Sequence, residues 1–249
     1  MEIIKKIKKK IFFRRKNPSY LNIIGVGPGD PSLLTIAAIK ALKKSEVIFY
    51  PISGDDKTSN SAEIVKKYIK NKKKIPIIFP MARKQFKAQE IWEIESKKIV
   101  DFVKRNYVVS LLCLGDTSIY ASSFYLKNEI KKNHPEILIN TIPGISSFSL
   151  AAALIDFQLI KKGETLHIYE CPDNGLEFNR LISGKNKRVL VIMKIGWRWE
   201  WVKKILKDEC IFEKTFLAVN IGMKNQFIGQ AKDYLSKELP YFSLLLIRT

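Results

Sequence analysis

Three stretches of this chain set glycine, aspartate and serine where a strand runs into a helix, the place from which open α/β sheets hold ligands. The first is Gly25-Val-Gly-Pro-Gly-Asp-Pro31, behind an apolar run over 21–26. Glycine permits positive φ and close backbone approach, and Pro28 stiffens the turn. Asp30 and Pro31 read as N-cap and first position of a helix carrying Leu33, Leu34, Ala37, Ala38, Ala41 and Leu42. The second is Cys113-Leu-Gly-Asp-Thr-Ser-Ile-Tyr120, after the most apolar strand of the first half. There Gly115 lets a ligand near the backbone, and Asp116 offers a carboxylate to a hydroxyl or a cation. The third is Thr141-Ile-Pro-Gly-Ile-Ser-Ser147, with Ser146 and Ser147 as candidate donors. Each has a plainer reading alone: a tight turn at a sheet edge, a turn aspartate, a helix cap. Three such turns in one chain suggest one cleft.

Other chemistries find little support. The first stretch is not the G-x-G-x-x-G dinucleotide fingerprint, because its third glycine comes one residue early. The strand expected over 47–50 lacks a ribose-gripping acid, and Asp55 and Asp56 come later, in a polar loop. His134 and His167 are the only histidines and neither has a spaced partner, so no protein-bound metal is expected. Cys113, Cys171 and Cys210 form no C-x-x-C pair and suit free thiols in a cytoplasmic protein. No Ser-His-Asp or Cys-His arrangement is evident, and no apolar run reaches membrane-spanning length. The net charge of +20 would draw nucleic acid, membrane surfaces or a polyanionic small molecule. The lysines are not gathered beside interleaved aromatics, so most of this charge reads as solvated surface and nucleic acid is not the expected partner.

The elements that must position the three turns alternate. Strands are expected over 21–26, 47–50 (stopped by Pro51), 75–79, 107–114 and 137–142. Helices are expected up to 45, then over 62–71, 88–106 and 122–132. This pattern predicts a largely parallel α/β sheet. Pro143-Gly144 marks a break, followed by a small-residue helix over 145–154. Beyond it, strands over 165–169, 189–193, 216–219, 226–229 and 241–247, with one clear helix over 200–207, predict a second α/β domain with more antiparallel content. The organisation is thus a basic N-terminal extension over 1–20, a first α/β domain over 21–142 and a second over 143–249. The extension carries Ile3, Ile4, Ile7 and Ile11 on one helical face among many basic residues.

The three motifs together resemble those of the tetrapyrrole methylases. Gly25-Val-Gly-Pro-Gly-Asp-Pro31 is similar to the family's opening motif, Leu114-Gly-Asp-Thr-Ser-Ile-Tyr120 to its cofactor loop and Pro143-Gly-Ile-Ser-Ser147 to its inter-domain motif. Within the family, the pieces Phe79-Pro-Met81, Trp92, Ser146-Ser-Phe148, Val191-Ile-Met-Lys194 and Tyr241-Phe-Ser-Leu-Leu245 resemble the C20-methylating branch of corrin synthesis. Thr117 stands where the family usually has proline, which predicts a less rigid loop. The stretch 171–187 matches nothing in the family pattern. Gly196-Trp-Arg-Trp-Glu-Trp201 is unusually aromatic, for core burial or for covering a flat macrocycle.

The resemblance implies two α/β domains of the class III methyltransferase type, with S-adenosylmethionine folded into the cleft between them. It implies methyl transfer to C20 of precorrin-2 or its cobalt form, a polycarboxylate tetrapyrrole, by a homodimer. It places Pro28 at the cofactor's edge and Leu114, Gly115, Asp116 and Ile119 around its amino-acid and ribose portions. Ser146 and Ser147 would hydrogen-bond to it, and Met193 and Ala218 would lie against the adenine. Tyr120 and Lys194 are the expected substrate contacts. No catalytic base is named by the sequence. Within the family the alternative is another corrin-ring methylase or a uroporphyrinogen methylase, against which the loop over 114–120 argues. Outside it, an RNA-directed methylase of similar fold is supported by the charge alone, and a non-catalytic binding protein is the third class.

Overall fold

A computed structural model describes residues 19–53, 58–79, 88–184, 187–236 and 238–249. Residues 1–18 of the basic extension, Asp55, Asp56, Pro80 and Met81 lie outside them. The first sheet comprises β1 (Leu21–Gly25), β2 (Val47–Ser53), β3 (Lys73–Phe79), β4 (Val109–Cys113) and β5 (Ile139–Ile142), all parallel, in the order β3-β2-β4-β1-β5. Both faces of the central strands β1, β2 and β4 are covered, which is why these read as largely apolar runs. Leu21, Ile23, Phe49 and Leu111 pack with Trp92, Ile99 and Val103 of α4 (Ala88–Lys104) and Leu126 and Ile130 of α5 (Ser123–Asn133). Ile24, Ile48 and Leu112 face the other way, onto α1 (Ile36–Lys44) and the short α2 (Asn60–Ile64) and α3 (Lys66–Ile69).

The second sheet comprises β6 (Thr165–Glu170), β7 (Arg188–Met193), β8 (Thr215–Val219), β9 (Phe227–Gln230) and β10 (Ser243–Arg248), in the order β6-β7-β10-β8-β9. Only β6 and β7 run parallel; the other pairs are antiparallel. Between the sheets in sequence lies α6 (Ser147–Leu154). Its Phe148, Ala151 and Ala152 pack on Val191, Ala218, Leu244 and Leu246, so the small-residue helix belongs to the second sheet. The opposite face carries α7 (Gly175–Ile182) and α8 (Trp199–Asp208).

Several local expectations are corrected. Asp30 caps only a 3-10 turn, Pro31–Leu33, by accepting from the Ser32 N–H at 2.7 Å. The α-helix begins later, behind Thr35, whose Oγ1 accepts from the Ala38 N–H at 3.1 Å. Pro51 does not stop β2. Val47 donates toward β4, position 51 shares that side, and β4 pairs with β2 only as far as Phe49, so the missing proline N–H costs no rung there. The helix expected over 62–71 is two short ones, broken at Val65. The unread stretch 171–187 contains α7, capped by Asn174, whose Oδ1 accepts from the Glu177 N–H at 3.0 Å.

The tryptophans divide. Trp199 is fully buried and Trp201 packs on the same core, edge-on to Phe178 at 5.7 Å, whereas Trp197 is exposed with the Arg198 guanidinium 4.8 Å from its ring centroid. Trp199→Ala is expected to lower unfolding stability by about 3–5 kcal/mol, the usual cost of deleting a large buried ring. Urea unfolding monitored by circular dichroism checks this; a loss below about 1 kcal/mol would contradict the core assignment.

Candidate functional site

Strand order explains why the three glycine turns meet. They follow β1, β4 and β5, and β1 lies between the other two. The first two turns are zipped together beyond the sheet. Val26 N–H donates to the Cys113 carbonyl at 2.9 Å, Gly27 N–H to the Gly115 carbonyl at 3.2 Å, and Gly115 N–H to the Gly27 carbonyl at 2.8 Å. The third turn crosses so closely that side chains are excluded. A Cβ on Gly25 would lie 2.5 Å from the Gly144 nitrogen and 2.9 Å from the Gly115 carbonyl oxygen. Gly115 itself has φ +72°, and a Cβ there would meet nothing within 4 Å. Its Cα is bare toward open space.

Asp116 locks this junction. One carboxylate oxygen accepts from the Gly144 N–H at 3.0 Å; the other accepts from the Ser118 N–H at 2.8 Å and from the Ser118 hydroxyl. Partial burial pushes this carboxyl up, but the bonds from Ser118, Gly144 and the Thr117 N–H outweigh it and hold it below the usual carboxylate range. Proline at position 117 would lack that N–H. Thr117 is buried, and the bonds from Ser118 and Gly144 to Asp116 tie down the loop on either side of the carboxylate. The neighbouring Cys113 thiol is pushed up to about 11, chiefly by burial, and stays protonated at neutral pH.

The second sheet supplies the facing wall. Met193 and Ala218 are the register partners of Leu244 on either side of it, forming one row across β7, β10 and β8. The loop after β8 meets the first turn: a Cβ on Gly29 would run into the Gly222 carbonyl and lie 2.9 Å from Met223 Cγ. Between these walls lies a cavity of about 240 Å³. All eleven residues singled out by the sequence line it: Pro28, Leu114, Gly115, Asp116, Ile119 and Tyr120 from the first two turns, Ser146 and Ser147 at the start of α6, and Met193, Lys194 and Ala218 from the second sheet.

Three of the expected donors and contacts are already engaged, the Tyr120 hydroxyl among them, which accepts from the Glu170 N–H at 2.8 Å and donates to the Ile168 carbonyl at 3.3 Å. Ser146 Oγ lies 2.7 Å from Ser149 Oγ, and Lys194 Nζ donates to Glu170 Oε2 at 3.1 Å while lying 5.3 Å from the Tyr120 ring centroid. Burial works against the Lys194 charge, but Tyr241 and Glu170 outweigh it, so its pKa stands above the ordinary value. Sequence reasoning gave no role to Ile221, Met223, Tyr241, Phe242 or Leu244, which also line the cavity. The only signal for the last three was the motif at 241–245. None of the three clustered tryptophans lines it. Among the described residues no three His, Cys, Asp or Glu side chains come together as a metal-binding group, and no helix is long and apolar enough to cross a membrane.

The glycine junction thus opens onto a cavity walled by the first sheet's turns and by the second sheet. The chain matches the family model of the Tetrapyrrole (Corrin/Porphyrin) Methylases over residues 20–232 and belongs to that family. It is 33% identical over 145 residues to the probable cobalt-precorrin-2 C(20)-methyltransferase of Methanocaldococcus jannaschii, covering 58% of this chain and 61% of that one. It is 24% identical over 233 residues to the precorrin-2 C(20)-methyltransferase of a Sinorhizobium species, covering 90% and 93%. Among solved structures, cobalt precorrin-4 methyltransferase shares the fold with a TM-score of 0.69 at 18% identity, over 94% of this chain and 97% of that one.

Proposed function

We propose that this protein methylates C20 of precorrin-2 or cobalt-precorrin-2, in the building of the corrin ring of cobalamin, with S-adenosylmethionine as donor. The observation that carries the regiochemistry is the 233-residue likeness, nine-tenths of both chains, to a relative named for that reaction. The donor fits the cavity on independent grounds. The bare Gly115 Cα faces open space that a Cβ would enter, and the lining joins apolar Pro28, Ile119, Met193 and Ala218 to serine hydroxyls and backbone amides. That mixture suits a molecule with an adenine, a ribose and a charged amino-acid end.

S-adenosylmethionine, when bound, supplies a methyl group on a sulfonium, already activated for transfer. The protein need supply no nucleophile, which agrees with a protonated Cys113 and with the absence of a Ser-His-Asp or Cys-His arrangement from the sequence reading. Its task is alignment, worth up to roughly 7–11 kcal/mol when two reactants are held in line. Pro28 would border the donor, Leu114, Gly115, Asp116 and Ile119 would hold its amino-acid and ribose portions, and Met193 and Ala218 would flank the adenine. Ser146 and Ser147 would donate hydrogen bonds. Asp116 acts through the loop backbone, since both its oxygens are occupied. Tyr120 and Lys194 stand on the macrocycle side, where Lys194 would exchange Glu170 for a substrate carboxylate. A homodimer is part of this reading on the family resemblance, and a cytoplasmic setting suits three free cysteines.

The test is anaerobic incubation of the purified protein with S-adenosylmethionine and either precorrin-2 or its cobalt form, with the added methyl located by NMR. A single methyl at C20 is expected. Transfer to another carbon would sink the C20 assignment. Salt-sensitive RNA retention without macrocycle methylation would favour the RNA-directed alternative raised by the +20 charge.

A further inference from the structure

We infer that Tyr120 is a positioning residue whose hydroxyl stands in for a missing strand at the edge of the second sheet, fixing the 114–120 loop across the cleft and so setting its width. The inference rests on the reading of the cleft as the methyl-donor site. β6 is the outermost strand of its sheet. Thr165 and Cys171 donate to the Lys187 and Met193 carbonyls beside β7, so odd-numbered positions of β6 face the sheet and even-numbered positions face its free edge. At that edge the Tyr120 hydroxyl accepts from the Glu170 N–H at 2.8 Å and donates to the Ile168 carbonyl at 3.3 Å. One side-chain oxygen thus fills the donor and acceptor that an added strand would occupy.

The surroundings hold it there. Tyr120 has φ +47° and Lys194 has φ +59°, left-handed conformations that non-glycine residues keep only where neighbours impose them. Upstream, Asp116 ties the loop to Gly144. Across the cleft, Lys194 lies over the Tyr120 ring and grips the Glu170 carboxylate, while Arg198 Nη1 donates to the Lys194 carbonyl at 3.0 Å. Tyr120 belongs to the wall carrying Leu114 and Ile119, and its polar partners belong to the wall carrying Met193. A ligand that touches both walls therefore senses whether this contact is made.

Tyr120→Phe keeps the ring and removes only the hydroxyl. In the free protein, amide exchange at Glu170 is expected to accelerate about tenfold or more, since the hydroxyl is the partner that protects that N–H. Calorimetry with S-adenosylhomocysteine should show Kd raised about tenfold, the scale of one or two lost hydrogen bonds. In turnover the change should appear in KM for the methyl donor more than in kcat. Unchanged protection at Glu170, or unchanged Kd, would overturn the inference. So would loss of protection throughout both sheets with a large fall in Tm, because the hydroxyl would then be a general stabiliser. If the wild-type protein failed to bind S-adenosylhomocysteine, the donor-site reading would fall, while exchange at Glu170, which needs no ligand, would still decide whether the Tyr120 hydroxyl caps the strand edge.

Discussion

Gly144→Ala is expected to weaken S-adenosylhomocysteine binding about 10–100-fold and to lower methyl transfer on the same scale. The new Cβ would run into the Gly115 carbonyl oxygen and lie 2.8 Å from the Gly25 carbonyl carbon. Both are backbone atoms in turns tied together by hydrogen bonds, so neither can swing aside as a side chain would. Overpacking of this kind costs typically about 1–3 kcal/mol, and roughly every 1.4 kcal/mol is tenfold in binding if the strain is released by opening the junction. Gly115→Ala provides the contrast. Its Cβ meets no protein atom, but the φ of +72° is unfavourable for alanine and the methyl projects toward the cavity. Affinity should fall there as well, with a smaller drop in Tm than for Gly144→Ala. Calorimetry and thermal scans on the two variants check both statements. Wild-type affinity in Gly144→Ala would show that the three-turn junction does not shape the ligand site.

The unequal legibility of this site has a physical cause. Turn chemistry is local, so Gly25, Gly115, Asp116 and Gly144 stand out in the sequence as residues a strand-to-helix turn requires. Their meeting point is not local. It depends on β1 lying between β4 and β5, an order that no residue pattern along the chain announces. The recurrence of three such turns suggested one cleft without its strand order, and the resemblance to a known family picked out Met193 and Ala218, whose row across Leu244 is a matter of register. Ile221 and Met223 escaped notice because they sit in a loop with no periodic pattern, placed by the close approach of Gly29 to Gly222. The helix at Gly175–Ile182 was legible in principle, since Asn174 followed three residues later by Glu177 is a capping signal, but its short length hid the periodicity. Charge misled least where it was ignored: the cations whose partners bear on the cleft, Lys194 and Arg198, are few, and each is paired with an acid.

Asp116→Asn should be far from conservative, and its effect should depend on pH in a defined direction. The two carboxylate oxygens face different donors, Ser118 on one side and the Gly144 N–H on the other. An amide can present an acceptor to only one of them, and its NH2 must then oppose an N–H or O–H on the other side. Losing a charge-assisted bond and leaving a donor unpaired costs about 1.5–3 kcal/mol, so donor-site affinity should fall roughly 10–100-fold. Because the native carboxyl lies below its ordinary value, the ionised form is favoured by folding. Its contribution to stability is therefore complete above the carboxylate range of an unfolded chain, about pH 4–5, and is lost as pH falls through the lower native value. The gap in Tm between wild type and Asp116→Asn should accordingly be constant from pH 7 to about pH 5 and narrow below about pH 4. A gap that widened toward acid pH would mean that the protonated carboxyl holds the junction better than the carboxylate, and would contradict the assignment of Asp116 as the ionised acceptor for the Gly144 and Ser118 N–H groups.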